Sequence, residues 1–338
     1  MSQRLPVTVL TGFLGAGKTT LLARLLTQPA AGRCAVIINE FGAVSLDHEL
    51  IGTVAGDDIV ELPGGCLCCA RREALGVALA GLLLRVRRGE LQPFGRVIIE
   101  TSGLADPAPI LRGLLGDPAL MEAFVLDGVV TLVDAVHGAQ TLASQPETRA
   151  QVALADRLLL SKTDVAEAAA VEALAAQLAA LNPLAELETV THGAIEAARL
   201  FGVRVRDEAV TAAEVERWLS ARGLVNLRPA HAGAPDPNRH GPDLRAEVLL
   251  IDEPVPAERL RSFVGALTVL GGDAILRVKG IVHLAGRPLP FVVHGVQGTY
   301  ETLQPLADWP SDDRRTRLVV IARGVPAGWA GKLWESLG

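Results

Sequence analysis

Three cysteines, Cys66, Cys68 and Cys69, fall within four positions, directly after the pair Gly64-Gly65. Thiolates are soft ligands, and a set this dense suits a transition metal. Zn²⁺ takes three or four N and S donors in tetrahedral geometry, and Co²⁺, Ni²⁺ or Cu(I) can use the same site. The adjacent side chains of Cys68 and Cys69 reach one ion only across a turn, so two or three of the thiolates would bind. The rival readings are buried small hydrophobes and a redox pair, for which no resolving-cysteine pattern is present. Cys34 lies in an apolar, β-branched run and reads as core.

A second chemistry sits near the start of the chain. Gly12-Phe13-Leu14-Gly15-Ala16-Gly17-Lys18-Thr19 fits the phosphate-binding pattern G-x-x-x-x-G-K-[ST] at every fixed position. Gly12, Gly15, Ala16 and Gly17 would bring backbone N–H groups around phosphate oxygens, with Lys18 reaching the terminal phosphates. Thr19 would hold Mg²⁺ by its hydroxyl, with Thr20 beside it at the start of the helix. Glu100, at the exit of the apolar run 97–99, can hold the Mg²⁺ shell or orient a water, and Gly103 lets a backbone N–H approach the phosphate. The catalytic candidates are Lys18, Glu100 and Gly103. Further on, Ser161-Lys162-Thr163-Asp164 places a carboxylate where it could accept two hydrogen bonds from guanine, with the Lys162 stem over the base. Thr163 or Asp164 could equally cap the next helix. His192, after a strand-like run at 187–190, could line the same pocket, whereas His48, His231, His240, His283 and His294 form no tight ligand spacing.

Positioning these residues requires strands that end where the signatures begin. Apolar runs at 6–10, 34–39, 95–100, 127–133 and 156–160 alternate with helical patterns at 18–26, 70–88, 107–115 and 165–181. That alternation predicts an α/β domain with a mostly parallel sheet, whose ligands sit at the carboxyl ends of the strands. Residues 229–242 carry four Pro, two Gly and two His without periodicity and read as a linker. Beyond it, strands at 245–251, 274–284, 288–293 and 317–322 with helices at 256–267 and 327–337 predict a smaller α+β domain with an antiparallel sheet. The expected limits are 1–228, a linker at 229–243, and 244–338. Net charge is −6, which argues against a nucleic-acid partner, and the short basic run Arg85-Val86-Arg87-Arg88 reads as a helix end. With no apolar run of about 20 residues and no secretory pattern, no membrane is expected and the reading is cytoplasmic, where thiols stay reduced.

Taken together, GFLGAGKTT at 12–20, INEFG at 38–42, GGCLCC at 64–69, ETSGLADP at 100–107, SKTD at 161–164 and RVKG at 277–280 resemble the CobW-type family of P-loop GTPases, to which metal chaperones belong. The resemblance covers almost the whole chain. It implies GTP hydrolysis, a small carboxy-terminal domain and transition-metal binding at the cysteine motif, hence GTP/GDP, Mg²⁺ and Zn²⁺ as ligands and a client metalloprotein as partner. Three departures stand out: Ala43 follows the NEFG run where the family often has an acidic residue, Ser161 replaces the usual Asn and would weaken base affinity, and the linker holds only His231 and His240 where many members are histidine-rich. The expected function is a GTP-dependent metallochaperone for zinc. The alternatives are a cobalt or nickel insertion GTPase, which thiolates alone do not separate from it, and a small-molecule kinase with structural cysteines, for which no lid or acceptor motif is present.

Overall fold

The computed structural model describes residues 4–39, 59–61, 72–202, 244–301, 303–309 and 312–337. The chain divides into two compact units, Met1–Ala175 with Leu187–Arg204, and Ala176–Glu186 with Val205–Gly338.

The first sheet contains β1 (Leu5–Gly12), β2 (Cys34–Asn39), β3 (Ile59–Glu61), β4 (Arg96–Thr101), β5 (Phe124–Asp134), β6 (Arg157–Ser161) and β7 (Glu186–Val190). Their order is β3-β2-β4-β1-β5-β6-β7, and the pairs linking β3 through β6 are all parallel. Helices cover both faces of such a sheet, so its strands need apolar side chains on both sides; every residue of β4 and β6 is buried. Cys34 is among the buried residues, as expected of a strand position. The register sets Leu10 beside Glu100, Gly12 beside Leu132 and Asp134 beside Ser161. The polar signatures therefore emerge together at the carboxyl edge.

Between the strands lie α1 (Lys18–Leu26), α2 (Arg72–Arg87), α3 (Ala108–Gly116), α4 (Pro118–Ala123), α5 (Gly138–Ser144), α6 (Pro146–Leu154), α7 (Ala168–Leu181) and α8 (Ala197–Leu200). On α1, Leu21, Leu22 and Leu25 fall on one face and pack with Leu10, Ile38 and Leu132; each such leucine contributes about 1.5–3 kcal/mol by leaving water. Helices α4, α5 and α6 were not anticipated. They are short and start from local signals: Asp117 Oδ1 accepts the Ala119 and Leu120 N–H groups at 2.9 and 3.4 Å, and α4 and α6 each open with a proline, whose fixed φ suits a first helical turn.

The second unit carries β8 (Leu244–Ile251), α9 (Ala257–Gly271), β9 (Ile275–Val282), β10 (Phe291–Val296), β11 (Thr299–Tyr300), β12 (Gln304–Pro305), β13 (Thr316–Arg323) and α10 (Trp329–Ser336). The sheet order is β11-β10-β9-β13-β8, with β12 on β10, and the pairs are antiparallel. Phe263 of α9 and Trp334 of α10 meet edge to face at 5.3 Å over Val278 and Leu318. The strand expected from 288 begins at Phe291, since Pro288 and Pro290 have no N–H to give a ladder. Gly280 closes the RVKG motif because a Cβ there would stand 2.0 Å from the Arg317 carbonyl oxygen. Among the described residues, no helix is long and apolar enough to cross a membrane.

Candidate active site

The loop between β1 and α1 has Gly17 as the helix cap, in the left-handed region at φ 98° and with no side-chain cap. Only glycine adopts that conformation without strain, and it leaves the first N–H groups of the helix available to an anion. Lys18 is buried, and its ammonium donates to the carbonyls of Gly12 and Phe13 at 3.0 and 3.2 Å. Next to it, the Thr19 hydroxyl donates to Glu100 Oε1 at 3.0 Å. A cavity of about 250 Å³ is lined by Gly15, Gly17, Lys18, Thr19, Thr20, Glu100 and Gly103, together with Leu14. Gly12 lies at the strand end and Ala16 is buried in the loop.

The loop after β4 is fixed from below. Gln151, fully buried on α6, donates through Nε2 to the carbonyls of Gly103 and Ala105 at 3.1 and 3.0 Å. Thr101 donates to Thr11 at 2.7 Å, tying the ends of β4 and β1.

Lys162, Asp164 and His192 form a second group. His192 Nε2 is 3.6 Å from Asp164 Oδ2, and Lys162 and His192 have left-handed φ values of 58° and 52°. The residues beside this group touch the phosphate loop and the helix that follows it. Ser161 Oγ donates to the Ala16 carbonyl at 2.8 Å, and Gly193 lies so close to α1 that a Cβ would stand 2.9 Å from Leu21 Cα. Ser161 therefore ties the end of β6 to the phosphate loop.

A strand–loop–helix with a cavity holding lysine, threonine and glutamate is the geometry of a nucleotide-binding domain. The model of the CobW/HypB/UreG nucleotide-binding domain matches residues 6–188, and that of the cobalamin synthesis protein cobW C-terminal domain matches 245–337. The chain belongs to this family. The zinc chaperone YjiA of Escherichia coli is 37 % identical over 321 residues, covering 94 % of this chain and 93 % of the relative. The zinc chaperone CobW of Pseudomonas aeruginosa is 31 % identical, covering 95 % and 88 %. The crystal structure of Zn(II)-bound YjiA GTPase from E. coli superposes with a TM-score of 0.73 at 30 % identity, covering 99 % of both chains.

Cys66, Cys68 and Cys69 lie outside the described residues, as do Ala43, His48, His231 and His240. Among the described residues, no three His, Cys, Asp or Glu side chains gather as a metal site. Two residues of the site escaped the sequence. Gln151 is a polar residue in an unanticipated helix. Asp134, one residue past the apolar run 127–133, was not singled out, and it pairs with Lys162 Nζ at 2.5 Å.

Proposed function

We propose that this chain is a GTP-hydrolysing metallochaperone that binds a transition metal, zinc foremost, through Cys66, Cys68 and Cys69 and delivers it to a client metalloprotein. The observation that carries the nucleotide half is the Thr19–Glu100 pair, 3.0 Å apart in the cavity of the phosphate loop. A hydroxyl and a carboxylate are oxygen donors of the kind a hard cation takes, so Thr19 and Glu100 fit Mg²⁺. When bound, Mg²⁺ would neutralise charge on the phosphates. Lys18 binds the terminal phosphates, the Gly103 N–H approaches them, and Glu100 accepts from the Thr19 hydroxyl. Asp164 reads the guanine edge, Lys162 covers the base, and His192 borders it.

The metal half is supported by the spacing of the three thiolates and by relatives named as zinc chaperones. GTP orders the loops that follow β2 and β4, the thiolates hold the metal, and hydrolysis lowers metal affinity so that the client receives the ion. The domain limits 1–228, 229–243 and 244–338 and a cytoplasmic location belong to the same reading. The test is titration of reduced apo-protein with Zn²⁺ against a competing chelator, in Mg²⁺–GTP analogue and in Mg²⁺–GDP. Tighter zinc binding with the analogue, lost when all three cysteines are alanine, is the expected result. Equal binding in both nucleotide states would make the metal structural and end the carrier reading.

A further inference from the structure

Asp134 ends β5 outside the lining of the phosphate cavity, yet both of its carboxylate oxygens are engaged. Oδ1 accepts the backbone N–H groups of Val136 and His137 at 2.7 and 3.3 Å, and Oδ2 accepts from Lys162 Nζ at 2.5 Å. The Asp134 side chain is 11 % exposed and that of Lys162 is 42 % exposed. The aspartate is thus the fixed partner, held by backbone groups that cannot rotate away, and the lysine is the one being placed. Burial alone raises the Asp134 carboxyl, but the hydrogen bonds from Lys162, Val136 and His137 outweigh it and hold the group below the ordinary range. It is therefore an anion at neutral pH. Lys162 stands at φ 58°, which costs a non-glycine residue about 1–2 kcal/mol and persists only where neighbours hold it. The β5–β6 register sets Asp134 opposite Ser161, and the Ala135 N–H donates to the Ser161 carbonyl at 2.8 Å. The residue before Lys162 is therefore pinned to the residue after Asp134.

We propose that Asp134 is a positioning residue for base recognition: it anchors the Lys162 ammonium, so that the methylene stem stands ready beside Asp164 as an apolar cover for the purine. The proposal rests on the guanine reading of Lys162 and Asp164. Its physical content is entropic. A free lysine side chain carries about 2 kcal/mol of rotamer entropy that base binding would have to overcome, and the Asp134 contact removes part of that freedom beforehand. The effect belongs to base affinity and not to phosphate chemistry. A half-exposed ion pair with no such role would add little to folding and nothing to nucleotide affinity.

The experiment measures GTP hydrolysis, with ATP and inorganic triphosphate as competitors, for the full chain and for Asp134→Asn, Lys162→Met and the double variant. Asp134→Asn is expected to raise the KM for GTP about ten-fold with kcat within about two-fold. Affinity for ATP, whose purine takes the same cover, should fall by a similar factor, while affinity for triphosphate, which has no base, stays put. The double variant should be no worse than Lys162→Met alone, because both act through one contact. A wild-type KM in Asp134→Asn, an equal loss for GTP and triphosphate, or additive losses in the double variant would each overturn the proposal. Lys162→Gln, which leaves the Asp134 turn intact, repeats the test from the other partner should Asp134→Asn fail to fold. A wild-type protein that does not prefer GTP over ATP would instead remove the guanine reading itself, and the triphosphate arm reports the phosphate loop apart from both.

Discussion

Gly103 has no room for a side chain: a Cβ there would stand 2.6 Å from the Leu14 nitrogen and 2.8 Å from its Cα. Gln151 holds the Gly103 carbonyl from the other side, so the loop cannot retreat. Gly103→Ala is therefore expected to push the phosphate loop out of place. It should lower kcat/KM for GTP at least about ten-fold and folding stability by about 1–3 kcal/mol, read by steady-state kinetics and urea unfolding. Wild-type rates would mean that Leu14 yields without cost. Thr19 and Glu100 share one hydrogen bond, so Thr19→Ala and Glu100→Gln should each reduce kcat, and together by no more than the worse one alone. At this scale much of the site was legible. The G-x-x-x-x-G-K-[ST] pattern names its residues, and a carboxylate at the exit of an apolar run is a local signal. Ser161, Gln151 and Asp134 were not legible in the same way. Their partners lie 145, 48 and 28 positions away, and only the packing of strands and helices brings those positions together.

Elements with continuous apolar runs were legible because burial on both faces writes itself into every position of a strand such as β4 or β6. The three-residue β3 and the helices α4 and α5 are too short to show a period, whereas α6, as long as α1, is buried on almost every side from Thr148 onward and so carries no one-sided apolar stripe. The hairpin of β10 and β11 depends on a local fit of glycine to ring that a periodicity does not show. Gly295 pairs with Tyr300, and a Cβ on Gly295 would stand 2.5 Å from two atoms of the tyrosine ring. The ring lies in the space that the glycine leaves, and burial there pushes the phenol up to about 12. A phenol raised above its unfolded value of about 10 contributes stability that is complete below pH 10 and is lost as pH rises towards 12. Because Tyr300 is the chain's one tyrosine, phenolate absorbance titrates a single group. Its midpoint is expected near the raised value in the native protein and near the ordinary value in denaturant. Gly295→Ala should force the ring outward, bring the native midpoint down and cost about 1–3 kcal/mol; an unchanged midpoint would mean that the hairpin adapts around the new methyl group.

At the scale of the whole molecule, the chain changes grammar, from alternating strands and helices to a sheet whose last strand, β13, inserts between β8 and β9. Every residue lining the phosphate cavity comes from the first unit, and the chain is a carrier only if occupancy of that cavity is felt at the thiolates. Such coupling is a free energy shared by two sites and must be the same in either direction. If Mg²⁺–GTP analogue tightens Zn²⁺ binding by some factor, Zn²⁺ must tighten binding of the analogue by that factor. Couplings of about 1–3 kcal/mol, or roughly 5- to 150-fold, are the usual range. The measurement is calorimetric titration of the analogue into zinc-loaded and zinc-free protein, repeated with the three cysteines replaced by alanine. Equal factors from the two directions, vanishing in the cysteine variant, are expected. A tightening of zinc by nucleotide that has no counterpart for nucleotide by zinc cannot arise from one protein at equilibrium, and would place the metal on the nucleotide phosphates in solution. Coupling that survives removal of the cysteines would move the carrier site away from Cys66, Cys68 and Cys69 while leaving the nucleotide switch in place.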